Sequence, residues 1–250
     1  MTFATYPSLQ NAVVFITGGA AGIGEITVRA FAEQGSKVGF VDIDAERGRA
    51  LSSELGDNVH FVPCDLRDIE ALRQAFARLK AAIGPAQVLV NNAARDDRHG
   101  WQDVTPDYYD ERIATNLRHM FFATQAVAPD MIAAGKGSII NFGSNSWHEA
   151  SGGMPVYTTA KSAVHGMTRS FARDLGPHRI RVNTVVPGWV MTERQKQLWV
   201  TPEKLEGHLR RQCLPDPIDP VYLARMVLFL ASDDSAMCTA NNYMVEAGSI

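Results

Sequence analysis

Apolar residues are concentrated in seven short runs: AVVFIT (12–17), KVGFVD (37–42), NVHFVP (58–63), QVLVNN (87–92), SIINF (138–142), IRVNTVVP (180–187) and NYMVEAG (242–248). Most are apolar throughout rather than alternating, as in parallel strands covered on both faces. Between them lie segments of helical period, some stopped by Gly35, Gly84-Pro85 or Gly176-Pro177. Strand–helix alternation along the whole length predicts one doubly wound α/β domain over 1–250, a seven-stranded parallel sheet with helices on both faces. The interval 188–217 breaks the rhythm. It holds charges, Trp189, Trp199 and several turn formers before the next helical pattern at 219–231. A mobile substrate lid and a plain surface excursion both fit such an insertion.

Composition narrows the class. The 250 residues carry a net charge of −3 with His neutral, which gives no general electrostatic case for nucleic acid or an anionic membrane. Cys64, Cys213 and Cys238 are sparse, odd in number and outside any metal-ligand pattern, as expected of reduced thiols in the cytoplasm. The opening MTFATYPSLQNAVVFITGG has no basic n-region and an apolar run only one strand long, so no secretory leader is expected. No later segment has the length of a membrane span. His60, His99, His119, His148, His165, His178 and His208 lack zinc-ligand spacing, and no metal is expected.

The first run leads directly into TGGAAGIG (17–24) and then into the apolar-periodic EITVRAFAEQG. Gly18, Gly22 and Gly24 permit a tight turn that brings Ala21, Ile23 and a helix N-terminus up to a pyrophosphate. In this position the motif points to a dinucleotide site. Asp42 ends the second run, where a carboxylate accepts both adenosine ribose hydroxyls and repels a 2′-phosphate. Its neighbours Ile43 and Asp44 are not basic, which favours NAD; Asp44 fits the cap of the next helix. Asp65, followed by Leu66, is placed to bond the adenine edge or to cap the helix starting near Asp68. Asn91 and Asn92 are poor strand formers at the end of the fourth run, next to Ala93 and Ala94. Their presence calls for backbone bracing or a cofactor contact.

A second constellation lies in SNSWHEASGGMPVYTTAK (144–161). Tyr157 and Lys161 are i and i+4 on a predicted helix whose apolar stripe is Ala160, Ala163, Val164, Met167, Phe171 and Leu175. A free phenol ionises near about 10, and an adjacent ammonium lowers that value toward a working base. Ser144, just past the fifth run, is placed to hold a substrate oxygen opposite the tyrosine. Asn116 lies in TPDYYDERIATNLRHMFFATQAV, which opens with Thr105 as N-cap and Pro106 in the first turn. There it falls among Tyr109, Ile113, Leu117, Met120, Phe121 and Thr124. A water chain toward the lysine would satisfy its amide; so would helix backbone.

TGGAAGIG, Asp42, NNAA, Asn116, Ser144 and YTTAK, followed by IRVNTVVPGWVMTE, resemble the short-chain dehydrogenase/reductase superfamily over essentially the whole chain. The resemblance implies a Rossmann-type fold, a homotetramer and a set of roles. Tyr157 would be the acid/base, with Lys161 lowering its pKa and bonding the nicotinamide ribose. Ser144 would orient the substrate oxygen, and Asn116 would hold a relay water. Pro187, Gly188, Val190 and Thr192 would line the nicotinamide and phosphate side. Ala94 replaces the usual glycine of Asn-Asn-Ala-Gly and adds a methyl that could alter the local backbone.

Two polar loops with aromatic interruptions are expected to rim the substrate pocket: Asn145, Ser146, Trp147, His148 and Glu149, and Asp96, Asp97, Arg98 and His99, with Trp189 beside them. Hydrogen bonds for hydroxyls and an aromatic face for ring C–H groups suit a polyhydroxylated ligand. The charged positions also fit plain solvated loops, His148 a turn cap and Trp189 simple packing. NLRHMFFATQAVAPDM, INFGSNSWH, DDRH and QCLPDPI are similar to bacterial aldose 1-dehydrogenases, the D-xylose and L-arabinose group. That resemblance implies NAD-dependent oxidation of a free sugar at its anomeric carbon to the lactone. The alternatives are another secondary alcohol or ketone in the same superfamily (3-oxoacyl, steroid or cyclic alcohol) and a non-catalytic dinucleotide-binding protein.

Overall fold

The computed structural model describes residues 3–250; Met1 and Thr2, which head the opening segment read above, lie outside the described residues. Each of the seven apolar runs forms a strand: β1 (Val13–Thr17), β2 (Lys37–Asp42), β3 (Val59–Pro63), β4 (Val88–Asn91), β5 (Gly137–Phe142), β6 (Ile180–Pro187) and β7 (Asn242–Val245). They make one sheet in the order β3-β2-β1-β4-β5-β6-β7, with every neighbouring pair parallel. The apolar runs are continuous because both sheet faces are covered, yet successive side chains still go to opposite layers. Val14 and Ile16 of β1 join the core beneath α1 (Gly22–Glu33), α2 (Ala45–Leu55) and α9 (Pro220–Ala231). Val13 and Phe15 join the core beneath α3 (Ile69–Ile83), α5 (His119–Ala134) and α6 (Pro155–Leu175).

Strand order reverses between β1 and β4, opening a crevice at the C-terminal ends of the strands. Polar side chains at those ends tie it together. Asn91 Nδ2 donates to Asn141 Oδ1 at 2.9 Å, and Asn141 Nδ2 donates to Thr168 Oγ1 at 3.0 Å. Thr184 Oγ1 reaches the same Thr168 hydroxyl at 2.8 Å, so the ladder crosses from β4 through β5 to β6. The buried Asn91 and Asn141 amides thereby gain partners for their nitrogens, while Asn91 Oδ1 is left without one among the described residues.

The segment after Thr105 departs from a uniform helix. Thr105 caps α4 (Pro106–Ile113) through its Oγ1, as expected, but a π-helical turn occupies Ala114–Arg118 before α5 begins. The wider turn shifts the face by about one residue relative to the 3.6-residue period. Asn116, Met120 and Thr124 are buried, whereas Tyr109 and Phe121, read as part of the same stripe, are exposed. Along α6 the buried face likewise includes Val156, Lys161, His165 and Thr168, and leaves Ala163 outside.

Residues 188–217 fold into two short helices, α7 (Glu193–Leu198) and α8 (Pro202–Leu209), each capped by the threonine before it, Thr192 and Thr201. A parallel bridge between Val190 and Ile218 closes the base of the excursion. Arg194 and Gln195 of α7 contact Asp97 and Asp96 of the loop after β4, at 2.6 Å and 2.8 Å. The segment is therefore docked over the crevice as part of its wall.

Candidate active site

The crevice is a cleft of about 1570 Å³, wider than the roughly 300–1,000 Å³ of a single small-ligand pocket. At one end Gly18, Ala21, Gly22 and Ile23 line it, with Thr192 across the gap. Ala21 is the N-cap of α1 and has no side-chain cap bond, so the first-turn N–H groups are left for a ligand. Gly18 and Gly22 have φ of +69° and +60°. A Cβ on Gly18 would meet Ala93 Cα at 2.7 Å, and one on Gly24 would meet Gly18 O at 1.8 Å. Close backbone approach, rather than turn geometry alone, thus requires Gly24, which lies behind the cleft surface. Asn92 Nδ2 donates to Gly18 O at 2.8 Å, so this asparagine braces the loop. Unpartnered helix N–H groups behind a glycine cradle fit a pyrophosphate.

Asp42 lines the next part of the cleft, with Ile43 exposed beside it. Its Oδ2 accepts from Ala20 N–H at 2.9 Å and its Oδ1 from Asp44 N–H at 3.0 Å. Each oxygen keeps a lone pair for a ribose hydroxyl. Asp44 caps α2 through Arg47 N–H, as its position implied. The sequence neighbours of Asp42 are not basic, but Arg29 and Arg47 also line the cleft. Helix α2 turns Arg47 back toward the strand end. Arg29 is engaged by Glu25 and Glu54, and Arg47 pairs with Asp44 at 3.6 Å.

Asp65 and Leu66 line the cleft too, and Asp68 is the cap of α3, so Asp65 is not the capping residue. Asp65 accepts from Arg67 at 2.6 Å, a pairing that lowers its pKa. Ala93 and Ala94 continue the wall. Ala94 is absent from the positive-φ residues, so its extra methyl needs no strained backbone.

At the other end Tyr157 and Ser144 face each other and share a hydrogen bond, and both line the cleft. Ser144 follows β5 and opens a one-turn 3-10 helix over Asn145–Trp147, its Oγ accepting from Ser146 N–H at 3.1 Å. Lys161 lies beneath, 1% exposed, its Nζ donating to Phe142 O at 2.8 Å and 5.8 Å from the Tyr157 ring centre. Both groups titrate away from their ordinary values. Burial, then the Asp96 carboxylate, raises the Tyr157 phenol, against lowering by the Ser144 bond and Arg98. Burial pulls the Lys161 ammonium down to about 7, opposed by Asp96.

The expectation that the lysine lowers the phenol is thus met by an opposing desolvation. A full charge 5.8 Å away, at an effective dielectric of about 20, is worth about 3 kcal/mol, or about a hundredfold in phenol ionisation. Burial favours the neutral amine of Lys161 and so weakens that effect near neutral pH. Asn116 is fully buried, its Nδ2 donating to Arg112 O at 3.0 Å and its Oδ1 accepting from Arg95 N–H at 2.8 Å. Its amide therefore has one backbone partner on the nitrogen and one on the oxygen, with a donor and an acceptor site left over. Its helix carries a π-turn at that very residue.

The substrate rim differs from expectation in its aromatic members. Trp147 and His148 do not line the cleft. Trp147 Nε1 donates to His165 Nε2 at 3.1 Å and His148 stacks on the indole at 3.5 Å, because the 3-10 turn rotates both away from Tyr157. Asn145, Ser146 and Trp189 do line it, together with Pro187, Gly188, Val190 and Thr192. Of the loop after β4, Asp96 and Arg98 reach the cleft. Asp97 instead pairs with Arg112 and Arg194, and His99 contacts Asp97 O and Tyr108, so neither is a merely solvated residue. Glu149 lines the cleft among the polar residues already suspected. Met154, Gln195, Trp199 and His208 join it unannounced, since no local signal in the sequence marks them.

A family model described as Enoyl-(Acyl carrier protein) reductase matches residues 18–249. The D-xylose 1-dehydrogenase of Caulobacter vibrioides is 50% identical over 251 residues, 99% of each chain. A Rhizobium meliloti protein named "Probable galactose dehydrogenase GalD" is 45% identical over 97% of this chain and 96% of its own. Among solved structures, a blue fluorescent protein from a metagenomic library in complex with NADPH superimposes with a TM-score of 0.87 at 33% identity, covering 97% of this chain and 99% of that one. The chain belongs to the short-chain dehydrogenase/reductase family. It is an oxidoreductase.

As a short-chain dehydrogenase/reductase it presents Ser144 and Tyr157 on one wall of a single cleft whose far end carries the glycine loop. Lys161 and Asn116 stand behind that wall. No helix among the described residues is long and apolar enough to cross a membrane. No group of three or more His, Cys, Asp or Glu side chains among them could hold a metal ion. Cys64, Cys213 and Cys238 are free thiols.

Proposed function

We propose that this protein oxidises a free aldose, a pentose such as D-xylose or L-arabinose or a related sugar, at C1 to the aldonolactone with NAD. The observation that carries the reading is the wall around Tyr157. Asp96, Glu149, Asn145 and Gln195 make this wall polar, and the indoles of Trp189 and Trp199 line it with them, a surface for a polyol rather than for a steroid or acyl chain. The identity to a D-xylose 1-dehydrogenase over nearly the whole chain supports the same class.

The residues divide the work as follows. Ser144 holds the anomeric oxygen and Tyr157 accepts its proton as the C1–O bond becomes a carbonyl. Lys161, when charged, stabilises the phenolate and bonds the ribose of the cofactor. Asn116, at the π-turn, holds the water through which the proton leaves. When bound, the nicotinamide supplies the redox chemistry by accepting the hydride from C1. Gly18, Ala21, Gly22, Ile23 and Gly24 form the pyrophosphate cradle. Asp42 holds the ribose and disfavours a 2′-phosphate, while Arg29 and Arg47 are engaged by carboxylates. Ile43, Asp65, Leu66, Asn92 and Ala93 cover the adenosine half. Pro187, Gly188, Val190 and Thr192 cover the nicotinamide half.

Residues 1–250 act as one cofactor- and substrate-binding domain, with 188–217 as its substrate lid. Free thiols fit a cytoplasmic enzyme. A homotetramer fits the exposed Tyr109 and Phe121 on the flank of α4 and α5.

The test is NADH formation from a panel of free aldoses, with NADP, secondary alcohols and a β-hydroxyacyl thioester as controls. Selective turnover of one pentose or its configurational relative is expected. Activity on another alcohol and on no sugar would refute the substrate class, and strong NADP selectivity would refute the role of Asp42.

A further inference from the structure

Three residues from two separate parts of the chain form one hydrogen-bonded chain along the cleft wall. Trp189 Nε1 donates to Gln195 Oε1 at 2.9 Å, and Gln195 Nε2 donates to Asp96 Oδ2 at 2.8 Å. An indole N–H only donates and a carboxylate only accepts, so these two partners leave the Gln195 amide one orientation. The chain locks the indole of Trp189, already edge-on to His208 at 5.2 Å, against the carboxylate of Asp96.

Asp96 differs from the other carboxylate on this wall. Glu149 is occupied by Asn145 Nδ2 at 2.8 Å, Ser249 Oγ at 2.9 Å and Ser151 Oγ at 3.4 Å. Asp96 accepts from Gln195, and its two cationic neighbours, Arg98 and Arg194, stand at 3.9 Å, beyond hydrogen-bonding reach. Most of its acceptor capacity is therefore open to the cleft. It also lies near enough to the reacting end to be the leading charge acting on both Tyr157 and Lys161.

We propose that Asp96, positioned by Gln195, accepts a hydrogen bond from a substrate hydroxyl other than the one oxidised, and so determines selectivity for polyhydroxylated substrates. The proposal rests on the sugar-oxidising reading of the site. Trp189 covers the C–H face of the same ring, and Gln195 is a positioning residue that acts through Asp96. A substrate lacking that hydroxyl leaves the open acceptor site of the carboxylate desolvated and unfilled, which is how such a site discriminates.

The experiment measures kcat/KM for the best aldose and for its 2-, 3- and 4-deoxy analogues. It compares the wild type, Asp96→Ala, Gln195→Leu and the double variant. Wild type is expected to prefer the parent sugar over one particular deoxy analogue by about 10- to 100-fold through this bond. Asp96→Ala should abolish that preference at the one position and keep the ratios at the others. Gln195→Leu should reduce the same ratio, with no further loss in the double variant. A wild type that turns over no aldose overturns the reading of the site and this proposal with it. Aldose turnover with unchanged parent-to-deoxy ratios in Asp96→Ala overturns the proposal alone.

Discussion

Lys161→Met should cost the enzyme its activity and make the fold more stable at neutral pH. The lysine is 1% exposed, and burial moves its pKa from the ordinary 10.5 to about 7. Below about 7 it is charged in both the folded and the unfolded chain, and the folded state bears the whole cost of burying that charge. As pH rises from about 7 to 10.5 the folded chain releases the proton first, the unfolded chain holds more protons, and stability increases. With these two values the cost is about 4 kcal/mol at pH 7 and about 2 kcal/mol at pH 9. Methionine fills a similar unbranched volume but cannot donate to Phe142 O, a loss of about 1–3 kcal/mol. The variant should therefore gain about 1–3 kcal/mol at pH 7, with Tm rising about 2–4 °C for each kcal/mol. That advantage should shrink by about 2 kcal/mol at pH 9. Denaturant titrations of both proteins at the two pH values measure the difference directly, and contributions from other groups cancel in it. An advantage that stays constant from pH 7 to pH 9, or a variant less stable at pH 7, would refute the reasoning.

Tyr157→Phe should keep the melting temperature near that of the wild type and lower kcat by about 10²- to 10⁴-fold, the usual worth of a positioned acid/base. Unchanged turnover would remove Tyr157 from the chemistry. Gly24→Ala places a Cβ 1.8 Å from Gly18 O, so the phosphate loop must shift. A destabilisation of about 1–3 kcal/mol and weaker dinucleotide binding by calorimetry are expected, and normal affinity would contradict the packing. Asp42→Ala should lose NAD affinity and gain some for NADP, while freeing the Ala20 and Asp44 N–H groups. If neither affinity moves, the ribose is held elsewhere.

Several features of this enzyme were determined locally, and the sequence displays them. Seven largely apolar runs became seven parallel strands, because a strand covered on both faces is apolar on both except where a polar side chain is hydrogen-bonded, as at Asn91, Asn141 and Thr184. Thr105 caps α4, and Asp44 and Asp68 cap their helices, because a cap needs only the N–H groups two or three residues ahead. Tyr157 and Lys161 share a flank of α6 through helical spacing alone. The glycine loop follows β1 for the same reason: its backbone demands are met by its own residue types.

Tertiary packing decided the rest. Trp147 and His148 sit within the expected loop, yet a single 3-10 turn and a contact with His165 on α6 carry them out of the cleft. Gln195 meets Asp96 across 99 positions, and Arg29 and Arg47 share the cleft with Asp42 only in the folded chain. The π-turn at Asn116 changes the phase between α4 and α5, so Tyr109 and Phe121 do not share the buried face of Asn116, Met120 and Thr124, which a strict 3.6-residue period could not foresee. Most consequentially, the sequence places an ammonium one helical turn from a phenol, but burial sets the charge each one carries. Which side chains share a neighbourhood is partly a matter of spacing along the chain. Where a side chain points, and how much water it keeps, depends on surfaces brought from elsewhere in the fold.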